Sequence, residues 1–245
     1  MLFKNDEVSL KLEILRYDGD RPSYNYDTLN VRTRSARVEP STDAYCIRAY
    51  YNDKDYVDSA KFHVYKMNPE APFYDVPADS FYNDPVIWAV ENGITNGVSN
   101  LLFGSDDSCL RAHVVTFLHR AAGNPEPTKT SNPFTDVKTS DFFYKPVLWA
   151  VEKGITNGTS ATTFGSYDTC NRAAVVTFLW RAQGSPEPTS TKNPFVDVKS
   201  TDFFYKAVLW AVENGITNGI DATHFGPTTG CNRAQVVTFL YRAYN

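Results

Sequence analysis

Three arginines could bind an anion, because each stands at the start of a predicted helix. They lie 61 residues apart, at Arg111, Arg172 and Arg233. A cation in a first turn opposes the helix dipole, but a guanidinium beside free backbone N–H groups can hold an anion. The alternative is a structural salt bridge to the aspartates that recur with the same spacing: Asp75, Asp136 and Asp197.

Aromatic residues crowd the first helix of each repeat, and 14% of the chain is aromatic. An exposed aromatic ring near an arginine could pack on the apolar face of a bound ligand. One set of candidates is Phe81, Phe142 and Phe203. A second set is Trp88, Trp149 and Trp210, for which packing in the core is the favoured alternative.

A Gly-Ile-Thr-Asn-Gly segment occurs three times and could present backbone N–H groups and an amide to a ligand. Its candidate residues are Asn96, Asn157, Asn218, Gly97, Gly158 and Gly219. The alternative is a helix stop followed by a turn, which needs glycine and asparagine for positive φ. The two roles are compatible.

Catalysis has little support in the sequence. None of the four histidines recurs in all repeats, and no Ser-His-Asp order, HExxH or phosphate-loop motif is present. The net charge of −4 gives no basic field for nucleic acid. No apolar run approaches the roughly 18 residues that span a bilayer. We therefore expect no enzyme activity, no cofactor, no nucleic-acid partner and no membrane insertion.

Three cysteines, Cys109, Cys170 and Cys231, repeat with the same spacing just before the second helix of each repeat. Free cysteine behaves as a small buried hydrophobe, which is the favoured interpretation. A three-thiol metal site would need the cysteines to converge on one axis, and we predict no metal.

These residues belong to a tandem repeat. Residues 133–182 and 194–243 share 36 of 50 positions without a gap, and an earlier copy has drifted further. We predict modules at residues 71–123, 132–184 and 193–245, joined by linkers rich in Pro, Ser and Thr. Modules of about 50 residues bury little surface alone, so three linked copies are expected to pool their apolar faces.

Each module is predicted to be helix, loop, helix. In the second module the first helix is expected over Phe142–Lys153 and ends at Gly154. The second helix is expected to start near Asn171 as its N-cap and to run to Ala182. The fold class is therefore mainly α.

The ordered motifs resemble the S-layer homology family. Phe134-Thr135-Asp136-Val137, then Gly154-Ile155-Thr156-Asn157-Gly158 and Asn171-Arg172-Ala173 match F-x-D-V, G-I-x-x-G and T-R-A-E. The resemblance implies a pseudo-threefold assembly around a three-helix bundle. It also implies grooves that hold secondary cell-wall polymers, often with pyruvylated and therefore anionic sugars, with the three arginines among the contacts.

The chain departs from the family pattern at several positions. The family's leading Trp aligns with Phe81, Phe142 and Phe203. Its Thr is replaced by Leu110, Asn171 and Asn232, and its Glu by His113, Ala174 and Gln235. We expect replacement of Arg172 and Arg233 with Ala to weaken binding far more than folding. The groove of Arg111, which lies next to His113 in the sequence, is expected to be weak.

Residues 1–70 differ in composition from the repeats. Alternating apolar residues at Val8–Ile14, and the segments Ala44–Tyr51 and Ala60–Lys66, predict strands of a small β-rich domain, for which an Ig-like fold is one form. The first residues lack the pattern of a secretory signal peptide, so an exported protein would have this chain as a mature or trimmed form.

The predicted function is non-covalent anchoring at the bacterial cell wall or S-layer, outside the cell, by a monomer with an internal pseudo-trimer. Its partner would be an anionic cell-wall glycan held between repeats. Two alternatives remain: a structural spacer or self-assembly unit that does not bind glycan, and the C-terminal anchor of a larger surface enzyme.

Overall fold

The computed structural model describes residues 73–245 in full. Before them it describes the backbone of five strands, at 11–18, 21–28, 41–50, 56–58 and 62–64. The chain divides into two compact units, Met1–Met67 and Asn68–Asn245.

The described part of the first unit is an antiparallel sheet. Its strands are β1 (Lys11–Asp18), β2 (Arg21–Thr28), β3 (Ser41–Tyr50), β4 (Tyr56–Asp58) and β5 (Phe62–Val64). β1 pairs with β2 and β3, and β3 also pairs with β4 and β5. The segments predicted as strands, Val8–Ile14, Ala44–Tyr51 and Ala60–Lys66, overlap β1, β3 and β5. The form of the domain, including the Ig-like one, stays a prediction.

The second unit contains two helices in each module. They are α1 (Asn83–Glu91), α2 (Arg111–Ala121), α3 (Tyr144–Glu152), α4 (Arg172–Ala182), α5 (Tyr205–Glu213) and α6 (Arg233–Tyr244). The predicted helix–loop–helix pattern is confirmed, although α3 begins two residues later than expected. The N–H of Tyr144 binds the carbonyl of Asp141 at 3.0 Å. This turn leaves Phe142 outside the helix, exposed, while Phe143 is buried.

The first helix of each module packs on the second helix of another module. α3 packs on α2, α5 on α4, and α1 on α6, while α2, α4 and α6 contact one another. The last pairing closes the chain of modules into a ring. The three pairings thus join each module to both of the others, and the pseudo-threefold assembly stays a prediction.

Backbone hydrogen bonds between the cysteines close the same ring. The N–H of Cys109 binds the carbonyl of Cys231 at 2.9 Å, that of Cys170 binds Cys109 at 2.8 Å, and that of Cys231 binds Cys170 at 3.0 Å. All three side chains are buried, and the thiols are free. These bonds fix the start of each second helix relative to the other two, and so position the arginines that follow.

Candidate functional site

Each of the three arginines lies at the first position of its helix, and its side chain reaches into another module. All three are buried. Nε donates to a phenylalanine carbonyl in each case: Arg111 to Phe164 at 3.0 Å, Arg172 to Phe225 at 2.9 Å, and Arg233 to Phe103 at 3.0 Å. The arginines therefore hold neighbouring modules together.

Two phenylalanine rings flank each guanidinium. The Cζ atom of Arg233 lies 4.9 Å from the ring centre of Phe103 and 5.3 Å from that of Phe117. Arg111 and Arg172 have equivalent ring pairs at 5.1 and 5.2 Å. Attraction between a cation and an aromatic face grows when water is excluded. Burial lowers the pKa of Arg233, while nearby Cys109, Asp107 and Asp75 raise it.

The salt-bridge alternative does not describe these arginines. Among residues 73–245 no carboxylate lies within ion-pair distance of Arg111, Arg172 or Arg233. The F-x-D-V aspartates instead bind backbone N–H groups of the following loop. Asp75, for example, accepts from Phe103, Gly104 and Ser105 at 2.7, 2.7 and 2.9 Å.

Asp136 makes the same contacts as Asp75. It accepts from Phe164 and Gly165 at 2.8 Å and from Ser166 at 3.2 Å. Burial raises the pKa of this carboxyl, the backbone donors lower it, and the net shift is downward. The aspartates thus shape the loops whose phenylalanine carbonyls receive the arginines.

Part of each guanidinium remains free to bind a ligand. Arg111 uses only Nε, while Arg172 and Arg233 also donate from Nη2 to Thr217 at 2.9 Å and Thr95 at 3.2 Å. In the described part of the chain, the one fully buried side-chain polar atom without a partner is Nδ1 of His113. Arg233 and Arg111 each line one of two cavities.

The larger of these cavities, here called the first groove, has a volume of about 570 Å³. Its lining comes from all three modules: Asn96 and Gly97 from the first, Phe142 from the second and Arg233 from the third. The phenylalanine is 60% exposed. Asn96 and Arg233, which are 137 positions apart in the sequence, thus line the same cavity.

The second groove repeats this arrangement, rotated by one module. Its cavity of about 210 Å³ is lined by Arg111 from the first module, Asn157 and Gly158 from the second and Phe203 from the third. Phe203 is 71% exposed. The same three chemical groups therefore meet at two different junctions.

The third set of predicted residues is Arg172, Asn218, Gly219 and Phe81. Arg172 binds Thr217, which directly precedes Asn218 and Gly219. Phe81 is exposed and packs edge-on against Tyr82, with ring centres 5.1 Å apart.

The Gly-Ile-Thr-Asn-Gly segment also has the structural role that the sequence allowed. Gly97 has a φ of +79°, and a Cβ there would lie 2.6 Å from both the carbonyl oxygen of Leu102 and the ring of Phe73. Its N–H binds Oγ1 of Thr95 at 3.2 Å. The second glycine is therefore needed by the turn, and the turn places Asn96 at the groove.

The tryptophans are absent from the lining of the two described grooves, and the burial of Trp149 and Trp210 corrects their assignment as glycan contacts. Trp149 and Trp210 are 5% and 7% exposed, and Trp88 is half-buried. Trp88 packs on Tyr241 and Trp149 on His119, with ring centres 5.6 and 5.3 Å apart. Each lies on the inner face of its helix, where it joins the hydrophobic core.

Sequence reasoning missed a second arginine in each groove. Arg120 lines the first groove and Arg181 the second. Their Nη1 atoms donate to the carbonyls of Ile94 at 2.9 Å and Ile155 at 3.1 Å. The available signal was their 61-residue spacing, which Arg242 shares.

His113 and Arg111 belong to different grooves although only one residue separates them in the chain. His113 lines the first groove, with its ring stacked 5.9 Å from Phe142 and 6.4 Å from Phe117. Arg111 points to the second groove. The sequence-based reason for expecting a weak Arg111 groove, its nearness to His113, therefore does not apply.

The cysteine thiols lie too deep to act on a ligand. Burial raises the pKa of Cys170 to about 12 and that of Cys231 to about 11, and it also raises that of Cys109. Within the described residues, no group of three or more His, Cys, Asp or Glu side chains is arranged to hold a metal ion. No described helix is both long and apolar enough to cross a membrane.

Comparison with known proteins gives three matches to one family. The model of the S-layer homology domain matches residues 72–114, 133–174 and 194–237, slightly more than half of the chain. Each match includes the arginine-led start of the second helix.

Similar curated proteins come from bacteria and are much longer. An endoglucanase of Bacillus sp. (strain KSM-635) is 33% identical over 129 residues, which is 52% of this chain and 13% of the relative. The surface-layer 125 kDa protein of Lysinibacillus sphaericus is 31% identical over 107 residues, covering 44% and 9%. An S-layer protein of Bacillus thuringiensis subsp. finitimus is 25% identical over 171 residues, covering 69% and 21%.

Proposed function

Because this chain belongs to the S-layer homology domain family, we propose that it anchors a protein to the bacterial surface by binding an anionic cell-wall glycan between its modules. The module itself is non-catalytic. The observation that carries the proposal is the first groove, where an arginine, an Asn-Gly turn and an exposed phenylalanine from three modules line one cavity.

The charges in the grooves favour an anion. The second groove contains Arg111 and Arg181 and no carboxylate in its lining. The first groove contains Arg233 and Arg120 and one carboxylate, Asp107. Partly used guanidinium groups can make charge-assisted hydrogen bonds to a carboxylate, such as that of a pyruvylated sugar.

The exposed phenylalanines supply the complementary apolar contact. Phe142 and Phe203 stand at the edges of the two grooves with most of their surface open. A pyranose ring held by its carboxylate at an arginine could lay its C–H face on the neighbouring phenyl ring. Asn96 and Asn157 would then bind sugar hydroxyls through their amides. We propose these residues, with Gly97 and Gly158, as the glycan contacts, and Phe81, Arg172, Asn218 and Gly219 as the equivalent third set.

Sedimentation with cell walls tests the proposal. The purified chain should pellet with bacterial walls that carry secondary polymer and stay in solution with walls from which the polymer was extracted. Equal pelleting with both would exclude the glycan function. Failure to pellet with either would favour the alternative of a spacer or self-assembly unit.

The chain spans about a tenth to a fifth of the length of the relatives it matches. The activity of a whole protein is therefore a separate matter from that of the module. One relative is an endoglucanase, which favours a second candidate, the anchor of a larger surface enzyme. In a larger surface enzyme, the grooves would also bind the cell-wall glycan.

The location that follows is the bacterial cell surface, in the cell wall or S-layer. We propose a monomer whose three modules form an internal pseudo-trimer, because α1 packs on α6 within one chain. Size-exclusion chromatography with light scattering at several concentrations would detect a further oligomer.

A further inference from the structure

A separate cavity of about 390 Å³ lies at the junction between the first two modules, next to the first groove. Its walls are the end of α2, the linker around Asn124 and Glu126, and the loop and first turn of α3 from Thr139 to Pro146. The volume falls in the range of small-molecule sites in proteins, about 300–1,000 Å³. This space is called here the adjoining cavity.

The adjoining cavity and the first groove share part of their lining. Thr116, Arg120 and Phe142 line both. The hydroxyl of Thr116 donates to Ala112 at 2.7 Å, and Arg120 donates to Ile94 at 2.9 Å, so both side chains are held in place. A ligand that extends out of the first groove past Phe142 would therefore enter the adjoining cavity over a fixed surface.

The two spaces differ in charge. The first groove has Arg233 and Arg120 against a single carboxylate. In the adjoining cavity the cations Arg120 and Lys145 are matched by the carboxylates Glu126 and Asp141. Nζ of Lys145 lies 2.7 Å from Oε1 of Glu126.

This balance disfavours a second anion and suits a neutral ligand rich in hydroxyls. Carboxylate oxygens accept from sugar hydroxyls, and an ammonium group donates to them. The Lys145–Glu126 pair is largely exposed. An exposed ion pair contributes little to stability, so its groups can bind a ligand at low cost.

We propose that the adjoining cavity is a second sugar subsite, which holds the neutral sugar linked to the anionic sugar of the first groove. Phe142 separates the two subsites and contacts both sugars. The proposal rests on the glycan function proposed above, and it makes that function specific for at least two consecutive sugars of the polymer.

Calorimetric titration of the full chain with two defined probes tests the subsite. One probe is a pyruvylated hexoside, and the other is a disaccharide in which the same pyruvylated sugar is linked to a neutral hexose. We expect the disaccharide to bind about three- to tenfold more tightly, as one or two added hydrogen bonds would give.

The double variant Glu126→Ala, Lys145→Ala should lose this gain and keep the affinity for the hexoside. Lys153→Ala, an exposed lysine outside both cavities, is the matched control and should keep the gain. If the hexoside binds but the disaccharide gains nothing, or the double variant keeps the gain, the subsite is wrong and the glycan function stands. If neither probe nor polymer-bearing walls bind, the glycan function itself fails and the subsite with it.

Discussion

The buried arginines are parts of the module interface as well as candidate ligand contacts. Sequence reasoning treated these roles as alternatives, and the geometry combines them in one side chain. Nε binds the next module, two phenyl rings cover the guanidinium faces, and the remaining nitrogens reach a cavity. The expectation that folding would tolerate loss of Arg233 is therefore not supported by these contacts.

Arg233→Ala should lower the free energy of unfolding by about 3 kcal/mol. The change removes charged hydrogen bonds to Phe103 and Thr95 and the contacts with two rings, and it leaves a buried carbonyl without its donor. Urea unfolding followed by tryptophan fluorescence measures the effect. Thr95→Val, which removes only the Nη2 partner, should cost about 1 kcal/mol. A fully stable Ala variant would contradict the interface role.

His113 should make the stability of the chain depend on pH. Burial lowers its pKa below the ordinary value of 6.5, and Arg233 lowers it further. The unfolded chain then binds the proton more readily, so stability is full above pH 6.5 and is lost as pH falls toward the lowered pKa. His113→Gln should remove this part of the dependence in urea unfolding at pH 5 and pH 7. Identical pH dependence of both proteins would contradict it.

The same imidazole gives a test of the groove. An anion bound beside Arg233 and Arg120 would favour the protonated form of His113, so affinity for a pyruvylated hexoside should rise as pH falls from 7 to 5. Asp107 is the carboxylate in the lining of this groove. Ala174 holds the equivalent position in the second groove. Ala174→His should increase the pH dependence.

At the scale of single residues, the sequence indicated which types of side chain line the grooves. It did not indicate which residues those side chains contact. The alternative that Trp149 packs in the core agrees with its burial, whereas Phe142 is exposed. The sequence motif did not show that Arg111 and His113 face different grooves; residues two positions apart on a helix diverge by about 200°. The partners of each arginine lie in other modules, and local pattern holds no information about them.

At the scale of the helix, the three second helices start with the same backbone and different caps. Asn171 accepts from the N–H of Ala174 at 2.9 Å, and Asn232 forms a capping box with Gln235. Leu110 has nearly the same φ and ψ as Asn171 but no side-chain acceptor. α2 therefore begins without the hydrogen bond that starts α4 and α6.

Leu110→Asn should raise the free energy of unfolding by about 1 kcal/mol by supplying that acceptor. The reciprocal Asn171→Leu should lower it by a similar amount, which controls for the loss of apolar surface. Thermal unfolding followed by circular dichroism measures both. A destabilised Leu110→Asn variant would mean that the half-buried leucine contributes more through packing than a cap would supply.

The end of a helix was predictable where one residue, such as a glycine with positive φ, terminates it. Gly154, with a φ of +69° and open space around it, ends α3 as expected. The start of α3 was placed too early because Phe142 and Phe143 continue the apolar pattern of the helix. Their backbone instead forms the turn closed by Asp141 and Tyr144, and one ring faces the groove while the other is buried.

At the scale of the whole molecule, the repeat was evident from the sequence, but closure of the ring came only from the family resemblance. The decisive contacts join distant residues: Arg233 binds Phe103, and Trp88 packs on Tyr241. Nothing in a repeat with constant spacing distinguishes a closed ring from an open row of modules. Closure matters for function, because each described groove draws on all three modules.

Removing the third module should therefore unfold the remaining two. A chain that ends at Gly184 lacks α6, on which α1 packs, and also lacks Phe225 and Thr217, which bind Arg172. The truncated chain would expose apolar surface and would leave the guanidinium of Arg172 without its partners. The free energy lost would exceed the stability that two small modules can supply. All four tryptophans lie in the modules, so their fluorescence reports on this unit alone.

In the full chain, tryptophan fluorescence should show one cooperative unfolding transition of the three modules. The truncated chain should show red-shifted emission and no transition under the same conditions. Adding residues 185–245 as a separate polypeptide should restore part of the native signal, because the ring is closed by non-covalent contacts between α1 and α6. A truncated chain that unfolds cooperatively at the same temperature as the full chain would show that the modules are stable in a row. The arginine contacts between modules would then be dispensable for folding.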